Sequence, residues 1–179
     1  MSLVNKSWMH RRYNLKLSKE GIALLKQIEV LALQPYDDQT GLKSAPIKNW
    51  VKGATVGYGY LVPQNEWDKY KNGITEAEAD SMFNKKISKY EYCVETSVVY
   101  KDLTQQEFDA CVIFCYNIGT TGFANSSVCK MLNGQKTNYK TLDDAWMAWN
   151  KSQGKVMKGL TRRRQAELDI FHKGIYKGW

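Results

Sequence analysis

Glu29, Asp38 and Thr55 are the residues of this chain whose types and spacing could break a bond. The stretch EVLALQPYDDQTG (29–41) carries Glu29 at the end of a short apolar run and then hands over to the adjacent carboxylates Asp37 and Asp38; Thr55 opens TVGYG. Buried acids are costly unless paired, so a core helix has no need of such a cluster. Two carboxylates held across a gap are what glycosidic cleavage requires: one protonates the leaving oxygen, the other activates water or attacks the sugar. The acid must keep its proton near neutrality, and a partly buried Glu at a helix C-terminus is pushed that way by desolvation and by the negative helix end. Asp38, nearer solvent and beside Asp37, would stay ionised. Spacing alone is a weak signal in a chain with 18 acids. A turn capped by Asp37 and Asp38, with Glu29 on the surface, explains the same residues.

The elements that would position these groups are legible. Ile22, Leu24, Leu25, Ile28 and Leu31 form one apolar stripe at helical spacing after Ser18, a good N-cap. That helix must stop by Pro35, which disfavours the helical conformation in Gln34. β-Branched and aromatic residues with tight-turn glycines then predict a small, irregular antiparallel sheet over 36–62. After Gly73 the pattern is helical, near 75–95, 104–117, 125–133, 141–150 and 159–172, with capping boxes at Thr75…Glu78, Thr104…Glu107 and Thr141…Asp144. Gly119, Gly134 and Gly154 mark helix ends. The expected fold is α+β: an N-terminal extension over 1–17, then one domain over 18–179 with a β lobe at 36–62, a helical lobe at 75–172 and a cleft between them.

Composition narrows the function classes. The chain has 179 residues, 43% of them hydrophobic, enough to bury a core. No apolar run approaches the ~18 residues that cross a bilayer, and the basic start has no apolar stretch behind it, so neither a signal peptide nor stable membrane insertion is expected. A net charge of +8 favours a polyanionic partner such as an acidic wall polymer. Arg162-Arg163-Arg164 is the only dense basic run; a solvated helix face competes there with nucleic-acid binding, and no nucleic-acid partner is expected. Cys93, Cys111, Cys115 and Cys129 lie in apolar company and read as buried thiols in preference to a disulfide. His10 and His172 are far apart, which argues against zinc, and no metal or organic cofactor is expected. Gly57-Tyr58-Gly59 lacks a third glycine and reads as a tight turn, not a nucleotide loop.

Several of these motifs, taken in order, resemble phage-type lysozymes of the T4 lysozyme class, the muramidase endolysins. The residues that carry the likeness are Ser18-Lys19-Glu20-Gly21 and Glu29, Tyr36-Asp37-Asp38 with Gly41, and Thr55-Val56-Gly57-Tyr58-Gly59. They are followed by ITEAEADSMF, LTQQEFDACVIFCYNIGTTGFANSSVCKMLN and AWMAWNKSQGKVMKGLTRRRQAELDIF, so the likeness runs over about 18–172. It implies that Glu29 is the general acid, Asp38 the base that activates water, and Thr55 a residue that holds that water. The implied substrate is the β-1,4 bond between N-acetylmuramic acid and N-acetylglucosamine in peptidoglycan. It also suggests a sugar-cleft role for Leu61, Tyr116 and Asn117, although the last two could simply end a helix. Arg163 or Arg164 would pair with Glu167 or meet the acidic peptide stem. Trp146 and Trp149 would be core, with sugar platforms as the alternative.

Three departures stand out: Val30 where the family usually has Gly, Tyr60 where it commonly has His, and the long connection LKSAPIKNWVKGA between Gly41 and Thr55. The connection is expected to form a basic flap carrying Trp50 near the cleft. The enzyme reading is a monomeric, soluble peptidoglycan hydrolase, made in the bacterial cytoplasm and released by a holin or injected into a competitor's periplasm. Injection would imply a small inhibitor or immunity protein in the producer. Its rival is a non-catalytic module that grips peptidoglycan. Inversion and retention at the anomeric carbon both stay open.

Overall fold

The computed structural model describes residues 15–179. Most of the expected extension, and His10, lie outside the described residues. The chain divides into two compact units: one is Lys19–Lys89 with Tyr176–Gly178, the other contains residues 15–18, Tyr90–Ile175 and Trp179.

The first unit holds the sheet. Helix α1 (Lys19–Glu29) buries Gly21, Leu24 and Leu25. Strands β1 (Ala32–Asp37), β2 (Ala54–Gly57) and β3 (Tyr60–Leu61) follow in antiparallel order β1-β2-β3. The β1–β2 register runs Ala32↔Gly57, then Tyr36↔Thr55 and Asp37↔Ala54, with an irregularity between Ala32 and Tyr36. Pro35 sits in that stretch; it has no N–H to give the ladder, but its carbonyl accepts from Ile47 N at 2.9 Å. The sheet therefore starts four residues before the expected boundary at 36. Helix α1 joins it because Lys26 Nζ reaches Asp80 at 2.6 Å and lies over the Tyr58 and Phe83 rings. A 3-10 turn (Gln64–Glu66), the short α2 (Trp67–Tyr70) and the start of α3 (Glu76–Ser97) complete the unit. The division between the units falls inside α3.

The loop from 42 to 53 is not a flap. Its Trp50 packs with Ile47 and Val51 against a small core of Ala54, Val56, Val62 and Tyr70. The Trp50 Nε1–H donates to the Val62 carbonyl at 2.9 Å. Pro46 bridges to Tyr36 beside the sheet. A half-buried indole with its one donor satisfied against apolar neighbours pins the loop.

The second unit is helical: the end of α3, then α4 (Gln105–Ile118), α5 (Thr120–Asn125), α6 (Ser127–Leu132), α7 (Leu142–Met147) and α8 (Lys158–Lys173). A two-stranded hairpin, β4 (Lys151–Ser152) and β5 (Lys155–Val156), precedes α8. Helix α4 starts with a full capping box, Thr104 with Glu107, and buries a continuous run from Phe108 to Cys115. All four cysteines are buried and free, and burial pushes the Cys111, Cys115 and Cys129 thiols up. Residues 16–18 are strapped to this unit: Leu17 N donates to Glu91 at 2.7 Å, and the Ser18 N–H and hydroxyl both donate to the buried Asp109 carboxylate. None of the described helices is long and apolar enough to cross a membrane.

The helical core turns on one buried carboxylate. Glu167 on α8 is 0% exposed and accepts from Arg163 Nε at 3.2 Å, Arg164 Nη2 at 3.0 Å and Trp146 Nε1 at 2.8 Å. Trp146 is fully buried between Phe114 and Phe171, as expected of a core residue. Trp149 meets Phe114 edge-on.

Candidate active site

Glu29 is the last residue of α1, and its carboxylate lies over the β2–β3 turn: a methyl group placed on Gly59 would meet Glu29 Oε2 at 3.5 Å and Lys86 Nζ at 3.8 Å. That turn is Gly57-Tyr58-Gly59, with both glycines at positive φ. The glycines let the strand reverse sharply and keep the space above it open to the carboxylate. The tight-turn expectation for this motif holds.

Asp38 follows directly on β1. Its N–H donates to Gly53 O at 3.0 Å, and its carbonyl accepts from Gly41 N at 3.2 Å. The Asp38 side chain is exposed, and its Oδ1 accepts a hydrogen bond from Tyr36 OH at 3.3 Å. Asp37 does the turn work: its Oδ1 accepts from Gln39 N at 3.0 Å and would clash with a Cβ on Gly53. A side chain there would displace the Asp37 carboxylate from its hydrogen bond in this turn. The two adjacent acids thus divide labour, one folded into the turn and one turned outward.

The phenol of Tyr36 connects the two candidate carboxylates. Tyr36 is buried, and its hydroxyl is pushed up to about 12, first by burial, then by the charge of Asp38 and the hydrogen bond to it, and finally by the charge of Glu29. It therefore stays a neutral donor that feels both acids. Thr55, opposite Tyr36 in the ladder, is 4% exposed and donates its hydroxyl to Gly53 O at 3.0 Å. Its oxygen lone pairs can still accept. Leu61, opposite Thr55 on the other side, is 60% exposed.

Tyr116 and Asn117 belong to the helical unit, at the end of α4. Tyr116 packs its ring on Tyr90 with centroids 5.0 Å apart. Asn117 is exposed, and its Oδ1 accepts from Arg164 Nη2 at 2.5 Å. Tyr60 takes no charged role where the resemblance leads one to expect His. It donates to Glu66 Oε2 at 2.8 Å, and burial followed by Glu66 pushes its hydroxyl up to about 12.

Sequence reasoning missed two cations. Lys43, in the 42–53 loop, donates to the Glu29 carbonyl, with the Val30 carbonyl at 3.4 Å. Lys86 on α3 reaches Gly59 O at 3.4 Å; burial lowers its pKa, the charge of Glu29 opposes that, and Lys43 adds to it. Lys86 carried a readable signal, since it adjoins the buried stripe Ala79, Phe83 and Ile87 on one helix face. Lys43 carried none. Val30 closes α1 through its N–H to Lys26 O at 3.2 Å, with φ at +55° and its side chain 52% exposed. A left-handed backbone costs an L-residue about 1–2 kcal/mol, which explains why glycine is the easier choice at this joint. Among the described residues no group of three or more His, Cys, Asp or Glu side chains is arranged to hold a metal ion.

Comparison with known proteins now decides the family. The phage lysozyme family model matches residues 26–167, a span that contains both carboxylates, Thr55 and the Glu167 cluster. This chain belongs to the phage lysozyme family. Among similar proteins is an endolysin of Bacillus phage PZA, 32% identical over 163 residues that make up 91% of this chain and 57% of that one. The chain spans a little over half the length of the Bacillus phage relatives it matches. Among solved structures, an endolysin from Escherichia coli O157:H7 phage FAHEc1 superposes with a TM-score of 0.71 at 29% identity, covering 92% of this chain and 98% of that one. The muramidase domain of SpmX from Asticaccaulis excentricus gives a TM-score of 0.65 at 28% identity, covering 89% and 99%. The mixed α+β architecture expected from the sequence of this family member is the one observed.

Proposed function

We propose that this phage lysozyme is a muramidase that hydrolyses the β-1,4 bond between N-acetylmuramic acid and N-acetylglucosamine in peptidoglycan. The observation that carries the reading is the placement of two carboxylates about one small sheet: Glu29 ends α1 over the β2–β3 glycine turn, and Asp38, exposed just after β1, accepts from Tyr36 OH. The family membership and the likeness to a muramidase domain support the same substrate. Glu29, backed by the glycine turn, protonates the glycosidic oxygen. Asp38, exposed, activates water, and the Thr55 oxygen helps to hold that water. Leu61 offers an apolar face to a sugar ring, and Tyr116 and Asn117 contribute sugar contacts from the helical unit. No step calls on a metal.

The chain acts as a monomer on the wall, reaching it after holin release or injection, and injection would be accompanied by a small inhibitor in the producer. Its charge of +8 draws it to acidic walls, an attraction that salt weakens.

Chemical analysis of the new ends tests the reading. Purified peptidoglycan digested by the protein and reduced with borohydride should yield muramitol. Glucosaminitol would assign the neighbouring bond instead, and no new reducing ends would leave a wall-binding module.

Tyr36→Phe tests the link between the acids. The variant removes one hydrogen bond to a charged group, so turnover of soluble glycan strands is expected to fall roughly tenfold, about 1.4 kcal/mol of barrier. Thermal stability should hold, because Asp38 is exposed and water replaces the lost donor. Unchanged turnover would show that the phenol does not support Asp38.

A further inference from the structure

We propose that Lys43 is a positioning residue for Glu29, a clamp by which the inserted 42–53 loop holds the left-handed joint that ends α1. The inference rests on the assignment of Glu29 as the acid.

Three observations carry it. The first is the joint itself. Val30, the residue after Glu29, has φ at +55° although it is β-branched, a conformation such residues adopt only where their surroundings impose it. Half of its side chain is exposed, so packing of Val30 is not what imposes it. The second is the Lys43 ammonium. It donates to the Glu29 carbonyl and approaches the Val30 carbonyl at 3.4 Å. These carbonyls lie at the end of the helix, where the backbone lacks intrahelical partners and a cation is favoured. The third is what lies behind Lys43. Its loop is fixed to the sheet by the Ile47 N–H to Pro35, by the bridge from Pro46 to Tyr36, and by Trp50 in the small core. Lys43 thus reaches from an anchored loop, and its ammonium also lies 5.8 Å from the Tyr36 ring centroid. One contact therefore connects the sheet that carries Asp38 to the helix end that carries Glu29.

The consequence is geometric. The carbonyl of residue 29 sets the peptide plane from which the Glu29 side chain departs, and a misplacement of about 1 Å in a reacting group can cost on the order of a hundredfold in rate. Freed from Lys43, the joint would relax toward backbone angles that valine prefers, and the carboxylate would move off its place above Gly59. Lys86 from α3 and Tyr36 from β1 also act on the Glu29 carboxylate, so its surroundings largely persist when Lys43 is removed.

The test uses the full chain, soluble uncrosslinked glycan strands and four variants: Lys43→Met, Lys43→Arg, Val30→Gly, and Lys43→Met combined with Val30→Gly. Lys43→Met should lower kcat about tenfold with KM within twofold. Lys43→Arg, which can still donate to carbonyls, should keep more than half of the wild-type kcat. Glycine is at ease at positive φ, so Val30→Gly should restore most of the kcat lost in Lys43→Met. Equal losses in the Met and Arg variants, or no rescue by Val30→Gly, would overturn the clamp. A melting-temperature cycle is independent of activity: Val30→Gly should raise Tm more in the wild type, where the clamp holds valine at positive φ, than in the Lys43→Met background, where the joint has already relaxed. Equal increments there would also overturn it. Absence of new reducing ends from the wild-type protein would sink the muramidase reading alone, with the Tm cycle still reporting on the clamp.

Discussion

Glu29→Gln should abolish wall clearing while leaving wall binding and stability nearly intact. The substitution keeps the shape of the side chain and removes its transferable proton. A positioned general acid contributes roughly 10²- to 10⁴-fold, so turnover should fall by that factor, about 3–5 kcal/mol of barrier. Glu29 sits at the end of α1 without a place in the buried core, so the Tm should stay close to that of the wild type. Binding should persist because the proposed sugar contacts, Leu61, Tyr116 and Asn117, and the net charge are untouched. Turbidity decrease on purified walls, sedimentation with the same walls and a thermal melt measure the three quantities on one sample. A variant that clears walls at more than a tenth of the wild-type rate would remove Glu29 from the role of acid. Loss of clearing together with loss of binding would instead make Glu29 a contact residue.

How much of this was legible in the sequence depended on whether the information is local. The stripe Leu24 and Leu25, the capping box at Thr104 with Glu107, and the glycine turn at 57–59 are written within a few residues, and all three appear as expected. The helix expected over 125–133 is α6, and the short α5 ahead of it has no counterpart in the sequence reading. Ser126 leaves the helical region at φ −67° and ψ 153°, and its hydroxyl accepts from Cys129 N at 3.0 Å, which starts a new helix. Ser126 is an ordinary N-cap signal, and it marks the break between the two helices. The helix expected to reach 150 stops at Met147, and the residues after it form the β4–β5 hairpin, reversed by Gln153 and Gly154 at positive φ. Here Gly154 was read as a helix end when it is a hairpin turn; glycine serves either, and a two-residue strand is too short to show a period.

The site was legible in part for the same reason. Glu29, Asp38 and Thr55 could be picked out because each lies in a short motif. Their surroundings could not, because Lys43 and Lys86 come to Glu29 from a loop and a helix distant in sequence. The loop was misread for a physical reason: its lysines and single tryptophan suggest an exposed flap, but the indole donates to Val62 and is covered by apolar neighbours, so the segment serves as a brace.

The largest loss of stability should follow from Glu167→Ala. The carboxylate is wholly buried with Arg163, Arg164 and Trp146 directed at it. Burial raises its pKa against the pull of both arginines, and burial lowers Arg164 to about 10 against the pull of Glu167. Each charge is tolerable only because the other is present. Arg164 depends on the pair especially, since its Nε and Nη1 have no hydrogen-bond acceptor among the described residues and its guanidinium lies 4.8 Å from the centroid of the Phe114 ring. Removing the carboxylate strands a buried guanidinium and an indole N–H, which costs about 3–5 kcal/mol, or roughly 6–20 °C in Tm for a chain of this size. Asn117 accepts from Arg164, so under its proposed role sugar affinity should weaken as well, whereas the Glu29 and Asp38 carboxylates lie in the other unit. The double variant Arg164→Met with Glu167→Leu replaces the ion pair by apolar volume and should regain at least half of the lost stability. Urea melts of the three proteins would show it, and a double variant no more stable than Glu167→Ala would mean that shape at this position matters more than charge.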